Sequence, residues 1–232
     1  MEKIMKYETR IMNPRPQIDE ALVKKCQDMT SVLSVTAVFS DAQNREGVMD
    51  HEIKFRSVNK PFIGTALTVK LRPGDIVDCL PVFEIAKPGD VIVIDADGTP
   101  NTSIWGGLMS GLARAAGVVG TVIDGSARDT DESKVLDFPL ASRSVSPRAA
   151  HSAYTGRTAP IQINVPITCG GQLVNPGDLI VADELGVTVV AAGILKEVYE
   201  GAIKLAANEE KVRNEILAGA TVEELLSKFG RI

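Results

Sequence analysis

The 232-residue sequence has little of what most often marks a chemical role. Cysteine occurs three times, at Cys26, Cys79 and Cys169. The odd number and wide spacing exclude a disulfide framework, a zinc-ligand pair and a redox dithiol, and suit a reduced, cytoplasmic setting. Histidine occurs twice, and His51 and His151 are read as exposed or capped side chains rather than as ligands. Aromatic residues make up 4% of the chain, which leaves base stacking little to work with. Lys and Arg total 25 against 30 Asp and Glu, so a nucleic-acid partner has no electrostatic support. No basic leader with an apolar core opens the sequence, and no apolar run is long enough to span a bilayer, so no membrane partner is expected. GxGxxG and Walker loops are missing, and Ser126 and Ser152 lack a nucleophile elbow.

The 44% hydrophobic content is that of a globular α/β protein with a real core. The expected organisation is an N-terminal arm over 1–16, one α/β domain over 17–192 and a helical C-terminal arm over 193–232. Gln17–Met29 has helical spacing, with Asp19 and Glu20 in its first turn. Ser34–Phe39 is β-branched and apolar, with Ser40-Asp41 as a cap for the next element. Thr65–Leu71 alternates as a strand does. Pro-Gly-Asp recurs at 73–75, 88–90 and 176–178. Proline presets one turn dihedral and glycine supplies the positive one. The second and third copies lead into buried strands, and the first leads into a more helical run. Phe138–Val145 and Ile161–Cys169 read as short strands, and Glu184-Leu185-Gly186 as the turn of a hairpin. Thr221-x-x-Glu224 is a capping box for the last helix.

The chain is organised around Gly106–Asp129. Ser103 is a candidate cap, and a helix with Leu108, Leu112, Ala115 and Ala116 on one side runs to a stop at Gly117. Val118–Ile123 comes next as a buried strand. Strand, helix, strand implies a crossover to a parallel neighbour, so the loops after Asp95 and after Ile123 share one carboxyl edge of the sheet.

Arg128 and Asp129 are the leading candidates at that edge. A guanidinium grips a carboxylate at two points, and a carboxylate holds a hard cation such as Mg2+ or Mn2+. Gly106, Gly107, Leu108 and Met109 offer backbone N–H groups at a helix start, which favour anions. Together they suit a 2-oxo or hydroxy acid substrate. The bland alternative is a surface ion pair beside glycines kept for packing. Asp95, Asp97 and Glu184 are secondary candidates at strand ends. Lys70 and Lys87 are conceivable Schiff-base lysines, with nothing to mark either as desolvated. Glu209-Glu210-Lys211 reads as a solvated helix face.

Pro88-Gly89-Asp90-Val91, Trp105-Gly106 and the run from Gly117 to Asp129 (GVVGTVIDGSARD) resemble the RraA-like family. So do Thr36–Ala42, Gly64–Val69, Phe138-Pro139 and Pro176–Asp183, in the same order. That family holds 4-hydroxy-4-methyl-2-oxoglutarate/4-carboxy-4-hydroxy-2-oxoadipate aldolases and the regulators of RNase E. The resemblance implies a swivelling β/β/α sandwich, a homotrimer or homohexamer, and a metal-dependent aldolase that releases pyruvate and also decarboxylates oxaloacetate. It implies that Arg128 binds the pyruvyl group and Asp129 ligates Mg2+ or Mn2+. The amides of Leu108 and Met109 would assist, and Glu209 or Glu210 of a neighbouring subunit would complete the metal's outer shell. One departure stands out: the family's aldolases carry an acidic residue twenty-one positions before the arginine, where this chain has Gly107. Asp97 or Glu184 is a candidate substitute; the alternative is that the space at Gly107 accepts a different substrate, as in a lyase or isomerase of another hydroxy or sugar acid. The RNase E regulators lack the arginine–aspartate pair that this chain keeps.

Overall fold

A computed structural model describes residues 10–72, 79–149 and 161–230. The first Pro-Gly-Asp copy, His151, Ser152 and the first nine residues of the arm lie outside that set. In chain order the elements are β1 (Arg10–Met12), α1 (Glu20–Gln27), α2 (Val35–Ala42), β2 (Lys54–Phe55), β3 (Phe62–Lys70), β4 (Asp90–Asp95), β5 (Ser103–Trp105) and α3 (Gly107–Ala115). They continue with β6 (Gly120–Ala127), α4 (Thr130–Val135), β7 (Leu140–Val145), β8 (Ile161–Ile163), β9 (Ile167–Cys169), β10 (Gln172–Val174), β11 (Leu179–Asp183), β12 (Gly186–Val190), α5 (Leu195–Leu217) and α6 (Val222–Phe229).

The Val/Ile-rich strands β4 and β6 are buried at every position, as strands covered on both faces must be. They pair in parallel, Val91 opposite Gly120, and β3 and β7 extend the parallel set on either side. Alternation along β4 divides the core. Val91 and Val93 join Ala66, Val122 and Ala141 against residues of β9, β11 and β12. Ile92 and Ile94 join Leu67, Ile123 and Leu140 against Trp105 and Ala113, on the side of α3. The layers are therefore strands, central sheet and helices, the β/β/α arrangement expected. A third cluster packs α1, α2 and α5 around Phe39, Leu179 and Val181. Gly120 is required where β6 passes Phe62: a Cβ there would stand 2.7 Å from the ring.

Both described Pro-Gly-Asp turns have the glycine at positive φ, +89° at Gly89 and +90° at Gly177. Their aspartates close the turn: Asp90 accepts the Lys87 N–H and Asp178 the Asn175 N–H, each at 2.7 Å. Arg15 clamps Asp90 with two bonds of 2.6 and 2.7 Å and so ties the N-terminal segment to the sheet. The strand hairpin through 184–186 forms as expected, and so does the capping box at Thr221.

Four local expectations are corrected. The β-branched run Ser34–Phe39 becomes the start of α2, because Asp183 on β11 caps it: its carboxylate accepts the Thr36 N–H at 3.0 Å and the Thr36 hydroxyl at 2.7 Å. Ile161–Cys169 is two strands, broken at Asn164 (φ +60°), whose amide donates to the carbonyls of Asn13 and Pro14. Ser103 lies in β5 rather than capping α3, whose N-cap is Gly106. The inward face of α3 is Gly107, Ser110 and Ala113, while Leu108 is 81% exposed. Gly107 and Ser110 are small where α3 meets Glu132 and Ser133 of α4, and Ala113 and Met109 pack on the core.

Candidate functional site

The site forms where β6 ends. The Arg128 N–H donates to the Trp105 carbonyl at 2.9 Å, which fixes the strand exit against β5. Asp129 then adopts a left-handed backbone, φ +50° and ψ +41°, an uncommon state for a side-chain-bearing residue. It occupies the N-cap of α4, where an aspartate ordinarily accepts from its own helix. Its side chain makes no such bond. The carboxylate turns across to α3 instead, with Oδ2 accepting the Gly107 N–H at 3.4 Å and lying 3.3 Å from the Arg128 Nε. Both side chains are about half exposed. Among the described residues Asp129 is the ionic partner of Arg128.

The start of α3 faces the same point. Its N-cap, Gly106, provides no side-chain bond, and the first intrahelical bond runs from the Ser110 N–H to the Gly106 carbonyl. The N–H groups of Leu108 and Met109 are thus among the unpaired donors of a helix N-terminus. A buried chain of hydroxyls joins α3 to α4: the Trp105 indole donates to Ser110 Oγ at 3.0 Å, and Ser110 Oγ lies 2.8 Å from Ser133 Oγ. Ser133 in turn donates its N–H to the Asp129 carbonyl at 3.2 Å. The two helix starts are therefore held to one another by groups with no access to solvent.

The glycines are needed for space. A Cβ on Gly106 would stand 2.6 Å from Asp129 Oδ2 and 3.4 Å from Arg128 Nε. A Cβ on Gly107 would overlap the carboxylate of Glu132 and approach the Glu132 Cβ to 2.8 Å. Two carboxylates thus occupy the cradle that two missing side chains leave. All the side-chain donors are oxygens, which suits a hard divalent cation that retains several waters. Among the described residues no group of three or more His, Cys, Asp or Glu is placed to hold a metal. A cation here would rest on Asp129, with water for most of its shell.

A family model described as RraA-like, Aldolase/RraA, matches residues 34–189, two thirds of the chain and all of this site. The chain belongs to the RraA-like family. A Halalkalibacterium halodurans protein carrying the name "Putative 4-hydroxy-4-methyl-2-oxoglutarate aldolase" is 39% identical over 175 residues, which are 75% of this chain and 81% of that protein. Among solved structures, an uncharacterized protein from Pseudomonas syringae pv. tomato superposes with a TM-score of 0.77 at 30% identity, covering 90% of this chain and 98% of that one. The Streptomyces coelicolor protein RraAS2, described as an unusual member of the RNase ES inhibitor RraA protein family, gives 0.70 at 26% identity, with 86% and 100% covered.

Within this RraA-like fold the other candidates fall elsewhere. The Asp97 N–H donates to Asp95 at 3.0 Å, and Asp95 pairs with Lys70 at 2.9 Å. That bond raises the pKa of Lys70 and keeps it charged, which argues against a Schiff-base lysine. Glu184 lies at the opposite edge of the sheet: β11 runs antiparallel to β3 with Ala182 opposite Phe62, and Glu184 accepts from Asn59 at 2.9 Å. Glu209 pairs with Arg213 at 2.5 Å, and both Glu209 and Glu210 lie beyond Ala202, the last buried residue of α5. His51 is exposed and stands 3.0 Å from Asp50. Burial pushes the Cys26 thiol up to about 12 and the Cys169 thiol well above its ordinary value, so neither is a nucleophile. Sequence reasoning missed Ser110, Ser133 and Glu132. The i, i+3 spacing of Asp129 and Glu132 on a helix start was the one signal available.

Proposed function

We propose that this protein is a divalent-metal-dependent lyase acting on a 2-oxo acid, by retro-aldol cleavage that releases pyruvate, by decarboxylation of oxaloacetate, or both. The observation that carries the proposal is the turn of Asp129 away from its own helix, towards Arg128 and the start of α3. Arg128 presents its guanidinium to the substrate carboxylate. The unpaired amides of Leu108 and Met109 face the oxygen on which negative charge develops. A Mg2+ or Mn2+ ion on Asp129 would supply Lewis-acid charge to the same oxygen. The glycine cradle keeps Asp129 close to both. In this reading the protein is cytoplasmic and works as a homotrimer or homohexamer, in which Glu209 or Glu210 of a neighbouring copy completes the outer shell of the ion.

The test is a coupled pyruvate assay on oxaloacetate and 4-hydroxy-4-methyl-2-oxoglutarate, with Mg2+ and with a chelator. Arg128→Ala and Asp129→Ala are each expected to lower turnover by about 10²–10³-fold, the cost of removing one electrostatic donor, with unchanged melting. Full activity in both variants ends this reading. A second reading, a protein-binding regulator of a ribonuclease, draws on the likeness to RraAS2. It predicts no metal dependence and a partner retained by Asp129→Ala.

A further inference from the structure

We propose that Glu132 moves the proton in this site, and that residue 107 is glycine because Glu132 needs its space. The inference rests on the 2-oxo-acid reading above and adds the group that reading lacks. Glu132 lies in the first turn of α4, one turn beyond Asp129, so both side chains leave the helix start on the same side. Its carboxylate fills the volume that any side chain at 107 would take, directly over the first residue of α3.

The two carboxylates are equipped differently. Asp129 accepts the Gly107 N–H and lies beside the Arg128 guanidinium. Glu132 has no hydrogen-bond or ion-pair partner for its side chain among the described residues, and it is exposed. A carboxylate held by donors suits cation binding, whereas one without them is free to take and return a proton. Two acids at one site with distinct surroundings are the usual basis for dividing such roles.

The step balances without a co-reactant. For a 4-hydroxy-2-oxo acid, the Glu132 carboxylate takes the C4 hydroxyl proton as the C3–C4 bond breaks. The electron pair of that bond stays on C3 as the pyruvate enolate, and the C4 fragment leaves as a carbonyl compound. Protonated Glu132 returns the proton to C3, which gives pyruvate and restores the carboxylate.

Pyruvate alone tests this, because its methyl protons exchange with D2O through the same enolate. Exchange is monitored by proton NMR with Mg2+ for the wild type, Glu132→Gln, Gly107→Ala and the neighbouring exposed control Asp131→Asn, and Mn2+ affinity and melting are measured beside it. Glu132→Gln and Gly107→Ala are expected to slow exchange by about 10²–10⁴-fold. Glu132→Gln should bind Mn2+ and melt as the wild type does, and Asp131→Asn should exchange normally. Wild-type exchange in Glu132→Gln overturns the role of Glu132 and leaves the site reading standing. Loss of Mn2+ binding in Glu132→Gln makes Glu132 a ligand and overturns the proposal. A wild type without exchange overturns both the proposal and the reading beneath it.

Discussion

Gly106→Ala separates the role of the cradle from the stability of the fold. Residue 106 has φ −142° and ψ −171°, extended backbone that alanine adopts freely. The added Cβ meets Asp129 Oδ2 at 2.6 Å, and ordinary contact begins at 3.4 Å. The carboxylate must therefore retreat by about 0.8 Å, or swing away from Arg128 and the Gly107 N–H altogether. Two stability effects nearly cancel. Alanine reduces the freedom of the unfolded chain, a gain of about 0.4–1 kcal/mol. It is also a poorer N-cap than glycine, by a comparable amount. A net change within about 0.5 kcal/mol moves Tm by no more than about 2 °C in a chain of this size. A displacement of about 1 Å at a reacting centre costs on the order of 10²-fold in rate. The expected outcome is near-wild-type melting, weakened Mn2+ binding in titration and pyruvate release reduced about 10²-fold. A variant that keeps full cation affinity and turnover refutes the argument that Gly106 exists to seat Asp129. A variant that unfolds refutes the backbone argument instead.

Two further outcomes concern the core and the sheet edge. The Thr121 hydroxyl is fully buried in β6 with no hydrogen-bond partner among the described residues, so Thr121→Val removes an unsatisfied group at constant shape. It should stabilise by about 1 kcal/mol in urea unfolding, and destabilisation would count against that reading. Arg143 donates to Asp124 at 2.6 Å and to Asp50 at 3.1 Å, and also pairs with Glu52. Arg143→Met leaves buried Asp124 with the Gly170 N–H as its side-chain partner among the described residues and should cost about 2–3 kcal/mol, less than a fully dry pair because Arg143 keeps some exposure. The Glu52 N–H and then Arg143 hold the Asp50 carboxyl below its ordinary 3.8. A depressed carboxylate adds stability above that pH and loses it as pH falls below. Arg143→Met should therefore also flatten the acid limb of stability against pH, and an unchanged limb would refute the assignment.

What the sequence disclosed depended on how local the cause was. The turns at Gly89 and Gly177, the capping box at Thr221 and the parallel pairing of β4 with β6 arise from neighbouring residues or from periodicity, and all are present. The helix at Val35–Ala42 was hidden because its cap, Asp183, lies 147 residues away from Thr36. The buried face of α3 was not legible because hydrophobicity points to Leu108 and Leu112, whereas contact with Glu132 and Ser133 of α4 selects Gly107 and Ser110. At the site, Arg128, Asp129 and the glycine start of α3 were legible as residue types at a strand end. Glu132 was not, because nothing in one dimension says whose carboxylate fills the space at Gly107.

Six other described non-glycine residues share the left-handed backbone of Asp129, Ser34 at the start of α2 among them, so what sets this corner apart is what meets there. Elsewhere aspartates do what short acidic side chains ordinarily do: Asp19 caps α1, and Asp90 and Asp178 close their turns. Asp129 stands in the N-cap position of α4 and its side chain caps no N–H of that helix, in a backbone state that costs on the order of 1 kcal/mol or more. The adjoining helix has glycine both at its N-cap and at its first position, so its start carries no side chain of its own. Glu132 lies over that start without a side-chain donor among the described residues. A surface ion pair would require none of this, since Arg128 and Asp129 could pair from relaxed backbones. The hydroxyl chain from Trp105 to Ser133 holds the corner in place from beneath, and it is buried where solvent could not substitute for it. Strain in the layer that meets solvent, braced by fully satisfied polar groups in the layer below, is the pattern of a site held ready for a ligand.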